Sequence, residues 1–148
     1  MEDFILTLTS EIDPDAEVVV EGGLGRYNEA MAGYRDQQPL GVLVSDPASK
    51  KVVGGLLGHT SLGLFFIDLL FLPDSARGQG IGSLIMEKAE KEAKRRGCSA
   101  AVLYTITFQA PGFYQRRGYQ VLGRIEVEPP GHGRICMTKR LSEHREQP

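Results

Sequence analysis

The residues at positions 77 to 82, RGQGIG, have the composition of a loop that could bind an anion. Their glycines alternate with other residues, between an apolar run and a stretch with helical periodicity. Such a loop can hold the phosphates of a dinucleotide, of a nucleoside triphosphate or of another ligand, and it can also be only a tight turn. The flanking residues distinguish some of these hypotheses.

Two nucleotide-binding motifs are excluded by single positions. A dinucleotide fingerprint requires G-x-G-x-x-G, and the sixth position counted from Gly78 is Ser83. A nucleoside-triphosphate loop requires a lysine before its Ser or Thr, and none stands between Gly82 and Ser83. What remains is either an anion site at a helix N-terminus or a glycine turn that only starts a helix.

An anion site at this position has a direct physical basis. The first amides of a helix have no intrahelical partners, and the helix macrodipole favours negative charge there. Gly78, Gly80 and Gly82 have no side chains, so a phosphate can approach the backbone closely. Arg77 can add a charge-assisted contact. The loop therefore predicts a phosphate site, with a structural turn as the alternative.

Asp68 is a second candidate, because it is the only charge in the apolar run LFFIDLLFLP (64–73). The run reads as a strand that is buried on both faces and stopped by Pro73. A carboxylate in such a strand is unfavourable unless it is paired or functional. Asp68 is therefore either a functional residue or one half of a salt bridge near the strand end.

The elements that must position these residues alternate along the chain. Helices are predicted over about 19–34, 80–96 and 109–118, the second with one stripe at Ile81, Leu84, Ile85, Lys88/Ala89 and Glu92/Ala93. Strands are predicted at 4–8 (with 18–20 as a competitor), 39–46, 51–60, 64–73, 100–106, 119–128 and 134–141. This order indicates an α/β fold in a single domain over 1–148, ending in a frayed tail at 142–148.

Composition excludes several classes of function. A chain of 148 residues suits one domain with one core, and a net charge of −2 provides no basic excess for nucleic acid. Cys98 and Cys136 match no metal or disulfide spacing, which fits a reducing compartment. The N-terminal residues lack the pattern of a signal peptide, and no apolar stretch approaches the ~20 residues that span a bilayer. We expect a cytoplasmic protein with no metal, no nucleic acid and no membrane partner.

Two motifs in order resemble those of the GNAT superfamily of N-acyltransferases. The spacing Arg-x-x-Gly-x-Gly after a strand, starting at Arg77, is similar to that family's coenzyme A pyrophosphate loop. The second motif is Ala-x-x-x-Tyr-x-x-x-Gly-Tyr, which is present as Ala110, Tyr114, Gly118 and Tyr119. The resemblance covers about residues 39 to 141. One departure is Thr107, which stands where the family usually has asparagine.

The resemblance implies an α/β fold with a mixed, mostly antiparallel sheet flanked by helices, and acetyl-CoA (coenzyme A) as cofactor. It implies transfer of the acetyl group to a primary amine of a small molecule by direct attack in a ternary complex. Tyr114 would be the general acid for the thiolate, and Asp68 would take the amine's proton, directly or through water. The residues implied in cofactor binding are Leu70, Phe71, Leu72, Arg77, Gly78, Gln79, Gly80, Ile81, Gly82 and Ser83.

The last strands resemble those of the small-molecule branch of the superfamily, which includes the glyphosate N-acetyltransferases. In those enzymes a histidine soon after Pro-Pro serves as base. Counted back from Lys139, that position is Arg134 here, and His132 falls two residues earlier. His132 and Arg134 are therefore candidates at the substrate mouth, and Phe66 is a further candidate because the acceptor pocket is expected to include Phe65/Phe66. A homodimer through the last strands is compatible with the family.

Two other functions stay open at this point. A noncatalytic acyl-CoA-binding module that regulates a partner would keep RGQGIG but would not need Tyr114 or Asp68. A protein or peptide N-acetyltransferase could attract a cationic substrate with Glu126 and Glu128, beside the presumed mouth.

Overall fold

A computed structural model describes residues 3–142. The chain divides into two compact units, which separate between Arg35 and Asp36. Of the predicted tail, Ser142 is described and 143–148 lie outside the described residues. The single domain over 1–148 stays a prediction. Among the described residues no helix is long and apolar enough to cross a bilayer.

The first unit contains one helix, α1, over Pro14–Ala32. The side chain of Asp13 accepts a hydrogen bond from the Asp15 amide at 2.8 Å, and proline occupies the first helical turn. These start signals precede the valines at 18–20, which therefore lie in the helix and not in a strand. The expected strand at 4–8 is also wrong, because those residues have no regular secondary structure. Gly33, at φ 89°, ends the helix.

The second unit is built on a six-stranded sheet with the order β1-β2-β3-β4-β6-β5. Every neighbouring pair is antiparallel except β3 and β4, so the predicted mixed, mostly antiparallel sheet is confirmed. The bounds are β1 Gln38–Ser45, β2 Val52–Ser61, β3 Leu64–Phe71, β4 Ala100–Ile106, β5 Gln120–Val127 and β6 His132–Arg140. The helices of this unit are α2 Ile81–Arg95 and α3 Pro111–Arg116.

The core lies between α2 and one face of the sheet. Its largest fully buried side chains are Phe65, Leu56, Met86 and Met137. The predicted helical stripe is partly wrong: Leu84 is 56% exposed, whereas Met86 and Glu90 are buried. The buried face of α2 therefore includes Glu90, a charged residue that the helical periodicity places on the solvent-facing side.

Strand β3 is buried on one face only, which corrects the expectation of two. Phe65 and Ile67 are buried, and Asp68 and Leu69 are both exposed. A bulge explains why two consecutive residues are exposed: β2 pairs Gly58 with Ile67 and then Leu57 with Leu69, leaving Asp68 without a residue opposite it. A Cβ at Gly58 would lie 2.2 Å from the carbonyl oxygen of Phe66, so only glycine fits beside this bulge.

A buried polar cluster joins α2 to the last two strands. Glu90 accepts a hydrogen bond from the Tyr119 hydroxyl at 3.0 Å and pairs with the Lys139 ammonium at 2.6 Å. Glu90 is 6% exposed, so its charge depends on these two partners. Burial, together with the Glu90 carboxylate, raises the pKa of Tyr119, which keeps the donor protonated.

We expect Glu90→Ala to lower the free energy of unfolding by about 2–4 kcal/mol, because it leaves the Lys139 ammonium and the Tyr119 hydroxyl without their acceptor. Denaturant unfolding measures this change. Glu87→Ala, at an exposed position of the same helix, is the control and should change the value by less than about 0.5 kcal/mol. Equal effects of the two substitutions would contradict a structural role for the cluster.

Candidate active site

The site begins where the sheet divides. β3 and β4 pair from Leu64–Ala100 to Ile67–Leu103 and no further, although β3 continues to Phe71. Each strand keeps its other neighbour beyond that point, since β2 still pairs with Phe71 and β6 with Ile106. The inner edge of β3 after Ile67 therefore has no partner strand within residues 3–142. Such an edge can bind an extended ligand through main-chain groups.

A cavity of about 790 Å³ lies along this division of the sheet. Its walls include the β3 end, the predicted loop, the start of α2 and α3. The lining residues are Leu70, Phe71, Leu72, Ala76, Arg77, Gly78, Gly80, Ile81, Gly82, Ser83, Thr105, Phe108, Gln109, Ala110, Phe113, Tyr114 and Arg116. The structure thus brings together, around one cavity, nine of the ten residues predicted for cofactor binding and also Tyr114.

The N-terminus of α2 is open to this cavity. Gly80, at φ 77°, is the N-cap; no side chain among residues 3–142 caps the helix, and its first turn carries no acidic residue. The amides of the first turn therefore lack both an intrahelical acceptor and a side-chain acceptor. A bound phosphate would satisfy them and would lie at the positive end of the helix dipole.

The glycines of the loop have different roles. Gly78 and Gly80 have φ of 73° and 77°, a conformation that other L residues rarely adopt, and the space beside both is open. Gly82 has no such φ, but a Cβ there would lie 3.2 Å from the ring of Phe113. Gly82 therefore allows α3 to pack closely on α2, a function that the glycine pattern alone did not indicate.

Arg77 and Gln79 hold the loop in shape. The Arg77 Nε donates to the Leu72 carbonyl oxygen at 3.0 Å, and its Nη1 pairs with the Asp74 carboxylate at 2.8 Å. Gln79 donates to the Ser75 carbonyl oxygen at 2.8 Å and does not line the cavity. A phosphate contact of Arg77 would thus use only those guanidinium N–H groups that bond neither to Leu72 nor to Asp74.

Tyr114 lies on α3 with its ring against the core. Its neighbours are Phe113 and Tyr119, whose ring centroids lie 5.2 and 5.9 Å away, both edge to face. Burial raises the pKa of the Tyr114 hydroxyl, so it stays protonated at neutral pH. The side chain can therefore donate a proton into the cavity.

Asp68 lies outside the residues that line the cavity. It is 52% exposed, which corrects the expectation of a carboxylate buried in a strand. Its oxygen lies 2.9 Å from Nδ1 of His59, so the salt-bridge alternative has a partner in the structure. The ring of His59 stacks on Phe66 with a centroid distance of 4.7 Å. The sequence predicts only a structural or surface-exposed histidine at His59, near the end of its strand.

The other predicted mouth residues lie outside the cavity lining as well. Nδ1 of His132 is 2.9 Å from the Thr107 hydroxyl, and its ring meets Phe108 edge to face. Thr107 also accepts a hydrogen bond from the Gly133 amide at 3.1 Å. The threonine thus bonds to both His132 and Gly133. Arg134 is exposed on β6, opposite Ile106 and Ile125.

The residues present fit coenzyme A. The unpaired edge of Leu70–Leu72 suits an amide-containing arm, and the uncapped start of α2 suits a pyrophosphate. The apolar side chains between them, including Phe108 and Phe113, suit the aliphatic part of such a ligand. Phe108, Gln109 and Phe113 were not among the predicted site residues, because the sequence alone does not indicate that this loop and the start of α3 face β3.

Comparison with known proteins gives the family. Residues 7–119 match the model of the acetyltransferase (GNAT) family. An acetyltransferase of Agrobacterium fabrum is 34% identical over 134 residues, covering 90% of this chain and 97% of the relative. A crystal structure of a protein from Agrobacterium tumefaciens has a TM-score of 0.85 at 33% identity, over 93% of this chain and 99% of that one.

Two further relatives have more specific names. The blasticidin-S acetyltransferase of Streptomyces morookaense is 40% identical over 92 residues, which cover 62% of this chain and 68% of the relative. The peptidyl-lysine N-acetyltransferase YjaB of Salmonella typhimurium is 31% identical over 130 residues, covering 88% and 83%.

These matches confirm the resemblance read from the two motifs and the α/β fold that it implied. They also favour an enzyme over a noncatalytic acyl-CoA-binding module. The chain belongs to the GNAT family of acetyltransferases, and it is an N-acetyltransferase that uses acetyl-CoA.

Proposed function

We propose that this enzyme acetylates a primary amine of a small molecule by direct attack of the amine in a ternary complex with acetyl-CoA. The observation that carries the proposal is one cavity that joins the uncapped start of α2 to the protonated Tyr114. The blasticidin-S acetyltransferase among the relatives supports a small-molecule acceptor.

Tyr114 is the general acid in this proposal. The bound donor supplies the acetyl thioester, and the thiol it releases resembles cysteine, with a pKa of about 8.5. The Tyr114 hydroxyl keeps its proton at neutral pH and gives it to the sulfur as the C–S bond breaks. No cysteine lines the cavity, so the chain offers no thiol there for a covalent acyl-enzyme.

The acceptor side requires the removal of a proton. An alkyl ammonium has a pKa of about 10.4, so only roughly 0.04% of such an amine is neutral at pH 7. The proposal places the Asp68 carboxylate on this side of the reaction, close to the division between β3 and β4. A base that accepts the ammonium proton raises the reactive fraction of the amine.

The YjaB relative favours a peptide lysine as the second candidate acceptor. Glu126 and Glu128, the acidic residues that could attract a cationic peptide, give this second candidate limited support. Glu126 pairs with Arg124 at 2.7 Å, and this guanidinium lowers the pKa of Glu126 and neutralises its charge locally. An assay with acetyl-CoA against small amines and lysine peptides, read by thiol release, separates the two candidates. Release with peptides alone would contradict the small-molecule proposal.

We also propose that the enzyme is cytoplasmic and that it forms a homodimer through its last strands. Both cysteines are free, which is typical of reducing compartments. Strand β5 forms one edge of the sheet and exposes Leu122 and Ile125, two apolar side chains that a second copy could cover. Sedimentation of the purified protein tests the dimer, and a monomer at all concentrations would contradict it.

We expect Tyr114→Phe to lower kcat roughly 10²-fold, because it removes the proton donor but keeps the ring that packs against Phe113 and Tyr119. The dissociation constant of acetyl-CoA, measured by titration calorimetry, should change much less than kcat. An unchanged kcat would remove Tyr114 from the mechanism. A parallel loss of binding would indicate a structural role.

We expect Gly80→Ala to weaken acetyl-CoA binding about tenfold, because alanine at this left-handed position is less favourable by about 1–2 kcal/mol and the helix start shifts. Gly123→Ala is the matched control, since Gly123 has ordinary φ and open space beside it. Calorimetric titration of both variants measures the effect. Equal affinities would contradict a binding role for this helix start.

A further inference from the structure

His59 and Asp68 form a pair on the exposed face of the sheet, on neighbouring strands. His59 of β2 lies directly opposite Phe66 of β3, and Asp68 follows two residues later on the same strand. Nδ1 of His59 is 2.9 Å from Oδ2 of Asp68. The two side chains are therefore diagonal neighbours across antiparallel strands, a distance that long polar side chains can bridge.

Phe66 holds the imidazole ring in place. The two rings are stacked, with 4.7 Å between centroids and an interplanar angle of 9°. The His59 side chain is 32% exposed, so part of it stays accessible to solvent. The ring is thus held from one face by Phe66 and along one edge by Asp68.

The hydrogen bond to Asp68 determines which nitrogen of the His59 ring can act as a base. A carboxylate accepts hydrogen bonds, so Nδ1 must donate, and the neutral ring then carries its lone pair on Nε2. A histidine whose Nδ1–H is held by a carboxylate is the arrangement that general bases use, because the carboxylate stabilises the imidazolium that forms. The Asp68 oxygen that faces His59 is itself occupied.

This pair lies beside the division of the sheet. Asp68 follows Ile67, the last residue of β3 that pairs with β4, and precedes the cavity-lining Leu70 by two positions. Two residues of strand span about 7 Å. Asp68 therefore lies about two strand residues from the edge of β3 where the thioester arm would lie.

We propose that Nε2 of His59 is the base that accepts the proton of the acceptor amine, and that Asp68 is the positioning residue that fixes the tautomer of His59. The inference rests on the proposed function and changes the role of Asp68 within it. Phe66 is a second positioning residue, because its ring stacks on the imidazole and holds its orientation.

The acetyl transfer removes two protons from the nitrogen and exchanges a C–S bond for a C–N bond. Nε2 of His59 accepts one proton from the substrate ammonium and passes it to solvent. The nitrogen lone pair forms the C–N bond as the C–S bond breaks, and Tyr114 protonates the sulfur. The second nitrogen proton returns to Tyr114 through solvent. No oxidant, reductant or metal takes part in these steps.

His132 is the competing base, and its surroundings differ. Its Nδ1 lies 2.9 Å from the Thr107 hydroxyl, and within residues 3–142 no carboxylate forms an ion pair with its ring. A hydroxyl can donate as well as accept, so it does not fix one tautomer. His59 alone of the two has a partner that stabilises a positive charge.

A series of amines of different basicity tests the proposal. His59→Gln should lower kcat/KM about 10²-fold for alkyl amines, which are protonated at pH 7. It should have little effect for weakly basic amines such as hydrazides, which are already neutral and need no base. Imidazole added to His59→Ala should restore part of the alkyl-amine rate. Glu87→Gln, at an exposed position in the middle of α2, is the control and should match the wild type.

Asp68→Asn and the double variant test the positioning role. Asparagine can accept from Nδ1 or donate to it, so it neither fixes the tautomer nor stabilises an imidazolium, and we expect a loss of about tenfold in kcat/KM. The double variant with His59→Gln should be no slower than His59→Gln alone, because both residues act through one step. Long-range ¹H–¹⁵N spectra of histidine-labelled protein without ligand should show the Nδ1–H tautomer of His59, and the Asp68→Asn variant should lose this preference.

The outcomes separate this inference from the proposed function. A wild type that acetylates no small amine in the panel sinks the proposed function. An active wild type with a His59→Gln variant equally fast on all amines leaves that function standing and overturns the base assignment. A uniform loss on strong and weak amines would make the pair merely structural. A basicity-dependent loss in His132→Gln, with none in His59→Gln, would transfer the role to His132.

Discussion

The site depends on one constraint, which is that two parallel strands stop pairing halfway along their length. Beyond Ile67 and Leu103 each strand keeps only its outer neighbour, so the sheet gives up a row of internal hydrogen bonds. Those backbone groups then need other partners, and a ligand with amide groups can provide them. The cavity, the accessible edge of β3 and the position of α3 all follow from this division of the sheet.

The rest of the unit keeps the division open. The Glu90 cluster fixes α2 against the last strands, and Arg96 bonds from the end of α2 to the Pro39 carbonyl oxygen at 3.0 Å and to the Thr60 hydroxyl at 3.1 Å. Helix α2 is thus attached to strands on both sides of the division between β3 and β4. Its N-terminus is directed at the cavity by packing and by buried polar contacts, and a side-chain cap is absent where the ligand would bind.

Much of this architecture could be predicted from the sequence, because apolar runs, turn residues and glycines mark the strands of the second unit and helix α2 within a few residues. The two motifs were also sufficient to indicate the family and the donor. Two features were beyond a reading of periodicity. The bulge at Asp68 depends on how β2 pairs with β3, so an apolar run could not show that Asp68 and Leu69 are both exposed. The burial of Glu90 depends on Tyr119 and Lys139, which are distant in sequence.

The contacts of Arg77 have a consequence for the thermodynamics of donor binding. Its guanidinium holds the Leu72 carbonyl and the Asp74 carboxylate, and Gln79 holds the Ser75 carbonyl, before any ligand arrives. If a pyrophosphate binds here as proposed, these contacts reduce the conformational entropy that the loop would lose, because they already limit its backbone. Preorganisation of this kind leaves more of the interaction energy as affinity.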